Sequence, residues 1–144
     1  MKVNSGMKKL LLIVIAVIPW RLKRFLLRHW FGYIVSEDSF IGISVIDVGH
    51  LELRGGAKIG HFNYFRSVGR VVLGENALIG NLNWFTGGKS GLRRADGAGA
   101  RSSLEVGAES SITNRHYFDC TDSIRVGDFT TVAGVRSTFL SHSI

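Results

Sequence analysis

Leu53-Arg-Gly-Gly-Ala-Lys-Ile59-Gly60-His-Phe-Asn-Tyr-Phe65-Arg-Ser-Val-Gly-Arg-Val71-Val-Leu73-Gly74-Glu-Asn-Ala-Leu-Ile79-Gly80 sets apolar side chains six positions apart. The count runs back through Ile41 to Val35, with only Asp47 out of character. It restarts after a two-residue slip at Leu73, Ile79 and Phe85. It then recurs as Val106, Ile112, Phe118 and Ile124, and again as Val126 and Val132. An amphipathic helix repeats at about 3.6 residues and a half-buried strand at about 2, so neither yields a step of six. Three short strands closing one triangular coil do, with one inward aliphatic per face and a turn after each. The predicted fold is all-β: a left-handed parallel β-helix, preceded by an N-terminal amphipathic helix.

Composition agrees. Stacked coils lie about 4.8 Å apart, the interstrand distance, and one coil cannot bury its inward side chains without neighbours. Eighteen glycines against one proline suit corners that need φ > 0 and a backbone whose N–H groups stay available for the ladder. The slips at 71–73 and 124–126 predict corner bulges.

The formal charge of +7 is concentrated at one end. Lys2, Lys8, Lys9, Arg21, Lys23, Arg24 and Arg28 precede the first acid, Glu37, while the remaining Lys/Arg and Asp/Glu balance. The basic pI therefore describes residues 1–34, an arm, and gives no ground for a nucleic-acid partner. Leu10 to Ile18 is apolar without a break but falls short of the ~20 residues a membrane span needs. Ile18-Pro19-Trp20-Arg21 lacks the small residues of a signal-peptide cleavage site. An apolar segment followed by a cationic, Trp-bearing helix predicts peripheral contact of residues 8–31 with an anionic leaflet, at the cytoplasmic, inner face of the cell membrane. Capping of the first coil is the competing role. His29 is assigned to this surface and His50 to a loop. Cys120 is the single cysteine, which rules out an internal disulfide framework.

Residues 35–144 form the β-helix, with residues 86–103 a Gly/Arg/Ser-rich loop insertion. The repeat is still running at Ile144, and a C-terminally incomplete solenoid is expected. Aligning the coils gives polar columns. Two residues beyond Ile59, Ile79, Ile112 and Val132 come His61, Asn81, Asn114 and Gly134; four beyond come Asn63, Asn83, His116 and Arg136. Ladders that satisfy corner backbone groups are the expected role of His61, Asn63, Asn81 and Asn83.

Asn114, His116, Asp119, Asp122 and His142 crowd into little more than one coil. Here the chain resembles the hexapeptide-repeat acyltransferases, in particular the maltose, galactoside and colanic-acid O-acetyltransferases. Asn114, Asp119 or Asp122, Val126-Gly127-Asp128 and His142 follow the order of that family's pattern, and the likeness covers residues 35–144. The resemblance implies transfer of an acyl group from acetyl-CoA, as co-substrate, to a sugar hydroxyl of a surface glycan or its precursor. His142 would be general base, with Asp119 or Asp122 orienting the ring or holding the acceptor. Asn114 and His116 would contact substrate. It also implies a homotrimer with sites between neighbouring prisms, and no metal. A zinc hydratase on this fold needs a second histidine five positions from the first, which His116 lacks. A non-catalytic, trimeric, membrane-associated scaffold is the alternative function.

Overall fold

The computed structural model describes residues 5–88 and 102–141. Among these residues, thirteen strands wind into a parallel β-helix. Its first face stacks β2 (Phe40–Ile41), β4 (Lys58–Ile59), β6 (Leu78–Ile79), β9 (Ser111–Asn114) and β12 (Thr131–Val135). The second stacks the opening halves of β3 (Val45–Leu53) and β5 (Tyr64–Leu73) with β7 (Trp84–Thr86), β10 (Tyr117–Asp119) and β13 (Thr138–Leu140). The third stacks β1 (Ile34–Val35), the closing halves of β3 and β5, β8 (Ser103–Val106) and β11 (Ser123–Val126).

The six-residue step produces vertical files. Ile41, Ile59, Ile79, Ile112 and Val132 pair in one column. Val35, Leu53, Leu73, Val106 and Val126 form another. Phe65, Phe85, Phe118 and Phe139 make the third, their rings stacked with centroids 4.5, 5.1 and 4.6 Å apart. The two-residue slips arise because the third face turns two side chains inward per coil. Leu51, Val71, Leu104 and Ile124 form their own file two positions ahead of the Leu53 file. Nearly all of these side chains are buried, and each contributes roughly 1.5–3 kcal/mol of burial free energy.

Three expectations need correction. In the first coil Ile46, not Asp47, pairs with Phe65, and a bulge between Asp47 and Val48 restores register. Asp47 is freed from the core and pairs with Lys8 at 3.3 Å. His50 lies within β3, opposite Arg70, rather than in a loop. The glycines near corners seldom supply φ > 0. Phe62, Leu82, Arg115 and Arg136 do so at one corner and Asn76, Glu109 and Phe129 at another. Gly107 shows what glycine supplies instead: a Cβ there would sit 2.6 Å from Asp128 N, so coils approach where no side chain fits.

The arm is two helices rather than one. Pro19, which cannot continue a helix through its missing N–H, separates α1 (Ser5–Val17) from α2 (Trp20–His29). Leu12, Ile15 and Ala16 of α1 and Leu27 of α2 are buried in the molecule. Lys23 is buried with them, and its Nζ donates to Ala16 O and Gly42 O, each at 2.8 Å. One ammonium thereby joins the last turn of α1, the start of α2 and the first coil. Desolvation draws its pKa down to about 8. Among the described residues no helix is long and apolar enough to cross a membrane.

Candidate functional site

Polar residues gather at two corners of the prism. Between the first and second faces, Ser44, Asn63, Asn83, His116 and Ser137 form a continuous ladder. Asn63 Nδ2 donates to Gly80 O at 2.7 Å, while its Oδ1 accepts Asn83 N–H at 3.0 Å. Asn83 Nδ2 donates to Thr113 O, and its Oδ1 accepts His116 N–H, both at 2.8 Å. His116 Nδ1 accepts Ser137 N–H at 3.2 Å, which places the ring proton on Nε2, 2.8 Å from Thr113 Oγ1. That hydroxyl donates onward to Val132 O at 3.0 Å. The imidazole is thus neutral, with both nitrogens engaged, and burial lowers its pKa. At 2% exposure the ring is buried, and its observed part is that of a ladder residue. Ser137, not Arg136, continues the column, because a register shift between Val132 and Val135 moves the last coil by one residue.

An outer rung runs beside it. His61 Nδ1 accepts Ile43 N–H, Asn81 Oδ1 accepts His61 N–H, and Asn114 Oδ1 accepts Asn81 N–H at 2.7 Å. The separations along this rung are 18, 20 and 33 residues. The long step contains the insertion, yet Ile79 and Ile112 still pair in register. Asn114 is exposed at the end of β9 and keeps its Nδ2 available.

The corner between the second and third faces is built differently. In the first two coils β3 and β5 pass through it unbroken. In the next coil the strands end at Thr86 and resume at Ser103, and Gly87 N–H still bonds Arg66 O at 2.8 Å. The inserted chain therefore departs after Gly87; residues 89–101 lie outside those described. Ser102 closes the gap, with Oγ accepting Gly69 N–H and donating to Cys120 O at 2.7 Å. One coil on, Asp119, Cys120 and Asp122 occupy the same corner. Asp119 is buried, and its Oδ1 accepts Thr121 N–H at 2.9 Å. Asp122 is exposed, and its Oδ1 accepts Ser123 N–H. Ser141 joins the two: its N–H donates to Asp119 O at 3.2 Å, and its Oγ accepts Asp122 N–H at 2.8 Å. His142, the expected base, lies outside the described residues. Burial, with the Asp119 charge beside it, pushes the Cys120 thiol up to about 12, so it is not a thiolate nucleophile at neutral pH.

Of the five expected site residues, the structure thus brings Asp119 and Asp122 to one corner. It sets Asn114 and His116 at the other, across the three residues of β10. Sequence reading missed Ser141, whose only signal was adjacency to His142. It also missed Tyr117, whose hydroxyl lies 3.0 Å from Thr86 Oγ1 on the outer surface of the second face.

A groove of about 600 Å³ follows the third face, lined in part by Arg54, Arg70, Glu105 and Arg125, and Asn114, His116, Asp119 and Asp122 are not among the residues that line it. Its arginines are matched by carboxylates, with Arg125 Nε 3.0 Å from Glu105 and Arg54 Nε 3.3 Å from Glu52. It is not an unbalanced anion site. Among the described residues no group of three or more His, Cys, Asp or Glu is placed to hold a metal ion.

The architecture belongs to the class of parallel β-helices, built from coils that tolerate corner insertions. Comparison with family models, curated proteins and solved structures gives no match.

Proposed function

We propose that the chain is an acyltransferase, moving an acyl group from a CoA thioester to a sugar hydroxyl of a surface glycan or its precursor. One observation carries the reading. Ser141, which precedes His142 in the chain, is hydrogen-bonded to the backbone of both Asp119 and Asp122, the two residues that can stand for the aspartate of the acyltransferase pattern. The full occupation of His116 by the ladder supports His142 as base, since a base needs a free ring nitrogen.

In the proposed step, the neutral His142 imidazole takes the acceptor hydroxyl proton as its oxygen bonds the thioester carbonyl carbon. The carbon–sulfur bond then breaks, and the departing CoA thiolate recovers the proton from the imidazolium. Asp119 or Asp122 orients the ring or holds the acceptor, and corner N–H groups offer stabilisation of the oxyanion. No covalent enzyme intermediate is involved. A homotrimer would complete the site with a neighbouring prism.

The test is thiol release from acetyl-CoA with a panel of glycan acceptors. Turnover that disappears in His142→Ala, with folding intact, is the expected result. Absence of both turnover and CoA binding in the unaltered protein would leave a non-catalytic trimeric scaffold.

A further inference from the structure

We propose that the outer faces of α1 and α2 are a docking surface for an anionic lipid bilayer, held at a fixed attitude by the prism. This does not depend on acyl transfer. The inner side of the helix pair is committed to the first coil. Besides the buried side chains and Lys23, Lys8 pairs with Asp47, Arg24 Nη1 donates to Glu37 O at 2.8 Å, and the Tyr33 hydroxyl after α2 donates to Val48 O at 2.7 Å.

What remains outside on α1 is an aliphatic row: Met7, Leu10, Ile13, Val14 and Val17, each between 48% and 64% exposed. Their spacing of three and four residues places them on one side of the helix. On α2, Leu22 and Phe25 are exposed likewise, and Trp30 follows at 65%. Such a concentration of exposed apolar side chains marks an interaction surface rather than scattered exceptions.

Charge identifies the occupant. Lys9, Arg21 and Arg28 are exposed on the same two helices, and among the described residues no carboxylate forms an ion pair with them. Apolar side chains edged with unpaired cations match the acyl boundary and phosphates of an anionic leaflet. They do not match a second copy of the same surface, which would bring like charges together. Thirteen residues of α1 rise only about 20 Å, short of the ~30 Å hydrocarbon core. The helix therefore lies in the interface plane.

The experiment is flotation of the full chain with vesicles of phosphatidylglycerol and phosphatidylcholine, and with phosphatidylcholine alone. The unaltered protein should float with the anionic vesicles, less so as salt is raised, and stay behind with the neutral ones. Leu10→Glu with Val14→Glu should reduce partitioning at least about tenfold, with unchanged circular dichroism because both side chains are exposed. Arg21→Gln and Arg28→Gln should each weaken it by about fivefold. The proposal is overturned if the unaltered chain ignores anionic vesicles, or if the double glutamate variant floats equally well. It is also overturned if that variant lowers the oligomeric mass while leaving flotation intact, which would make the face a contact between copies.

Discussion

At the first corner the Ser44, Asn63, Asn83 and His116 side chains of the column all bond the coil above or below, with His116 Nε2 also reaching Thr113 of its own coil. At the second corner the column is interrupted: β7 gives way to an insertion, and one coil later Asp119, Asp122 and Ser141 bond mainly among themselves and to adjoining backbone. Both corners belong to the same winding, but the first is filled mainly by Asn and His and the second by Asp, Cys and Ser. The difference lies in which side chains reach the neighbouring coil's backbone: Asn and His at the first corner, the Ser102 and Ser141 hydroxyls at the second. Of the two carboxylates at the second corner, Asp122 is exposed and Asp119 is buried.

That contrast can be tested by substitution. His142→Ala should lower acyl transfer by about 10²–10⁴-fold while leaving the denaturant midpoint in place. Asn83→Ala should do the reverse. It strips partners from the His116 N–H and the Thr113 carbonyl, costing about 2–4 kcal/mol of unfolding free energy, measured by urea titration. Acidification attacks the first corner more gently. Burial holds the His116 pKa below its ordinary 6.5, so as pH falls through that value the unfolded chain takes up a proton that the folded chain refuses. The contribution of His116 is complete above pH 6.5 and is lost on descent; the thermal midpoint should therefore drop more steeply below that pH than in His116→Asn. Asp122→Asn should be the mildest, within about 0.5 kcal/mol in stability because the side chain is exposed. A fall in transfer by that variant, absent in Asp119→Asn, would identify which carboxylate serves the base.

The prism was legible because each file admits only apolar side chains, so Ile59, Ile79 and Ile112 repeat through any insertion. Local backbone adjustments were not legible. The five-residue step from Ile41 to Ile46 looks in sequence like a polar fault at Asp47, and only the bulge resolves it. Arg136 falls in the ladder column by counting, and one shifted residue gives the place to Ser137. Left-handed corner positions fell to residues such as Leu82 and Arg115, since pairing between coils outweighs the roughly 1–2 kcal/mol that conformation costs a non-glycine residue. Of the candidate residues, Asp119 and Asp122 share a corner, whereas Asn114 and His116, which the sequence sets beside them by closeness along the chain and by the order of the acyltransferase pattern, lie at the other because β10 intervenes.

The Gly87–Ser102 gap makes the β-helix a natural grafting frame. Chain length enters there while Ile79 and Ile112 remain partners, so a foreign peptide spliced between those anchors should cost only about 0.6 kcal/mol for each doubling of its length. New specificity could thus be installed beside Asp119 without renegotiating a single inward side chain.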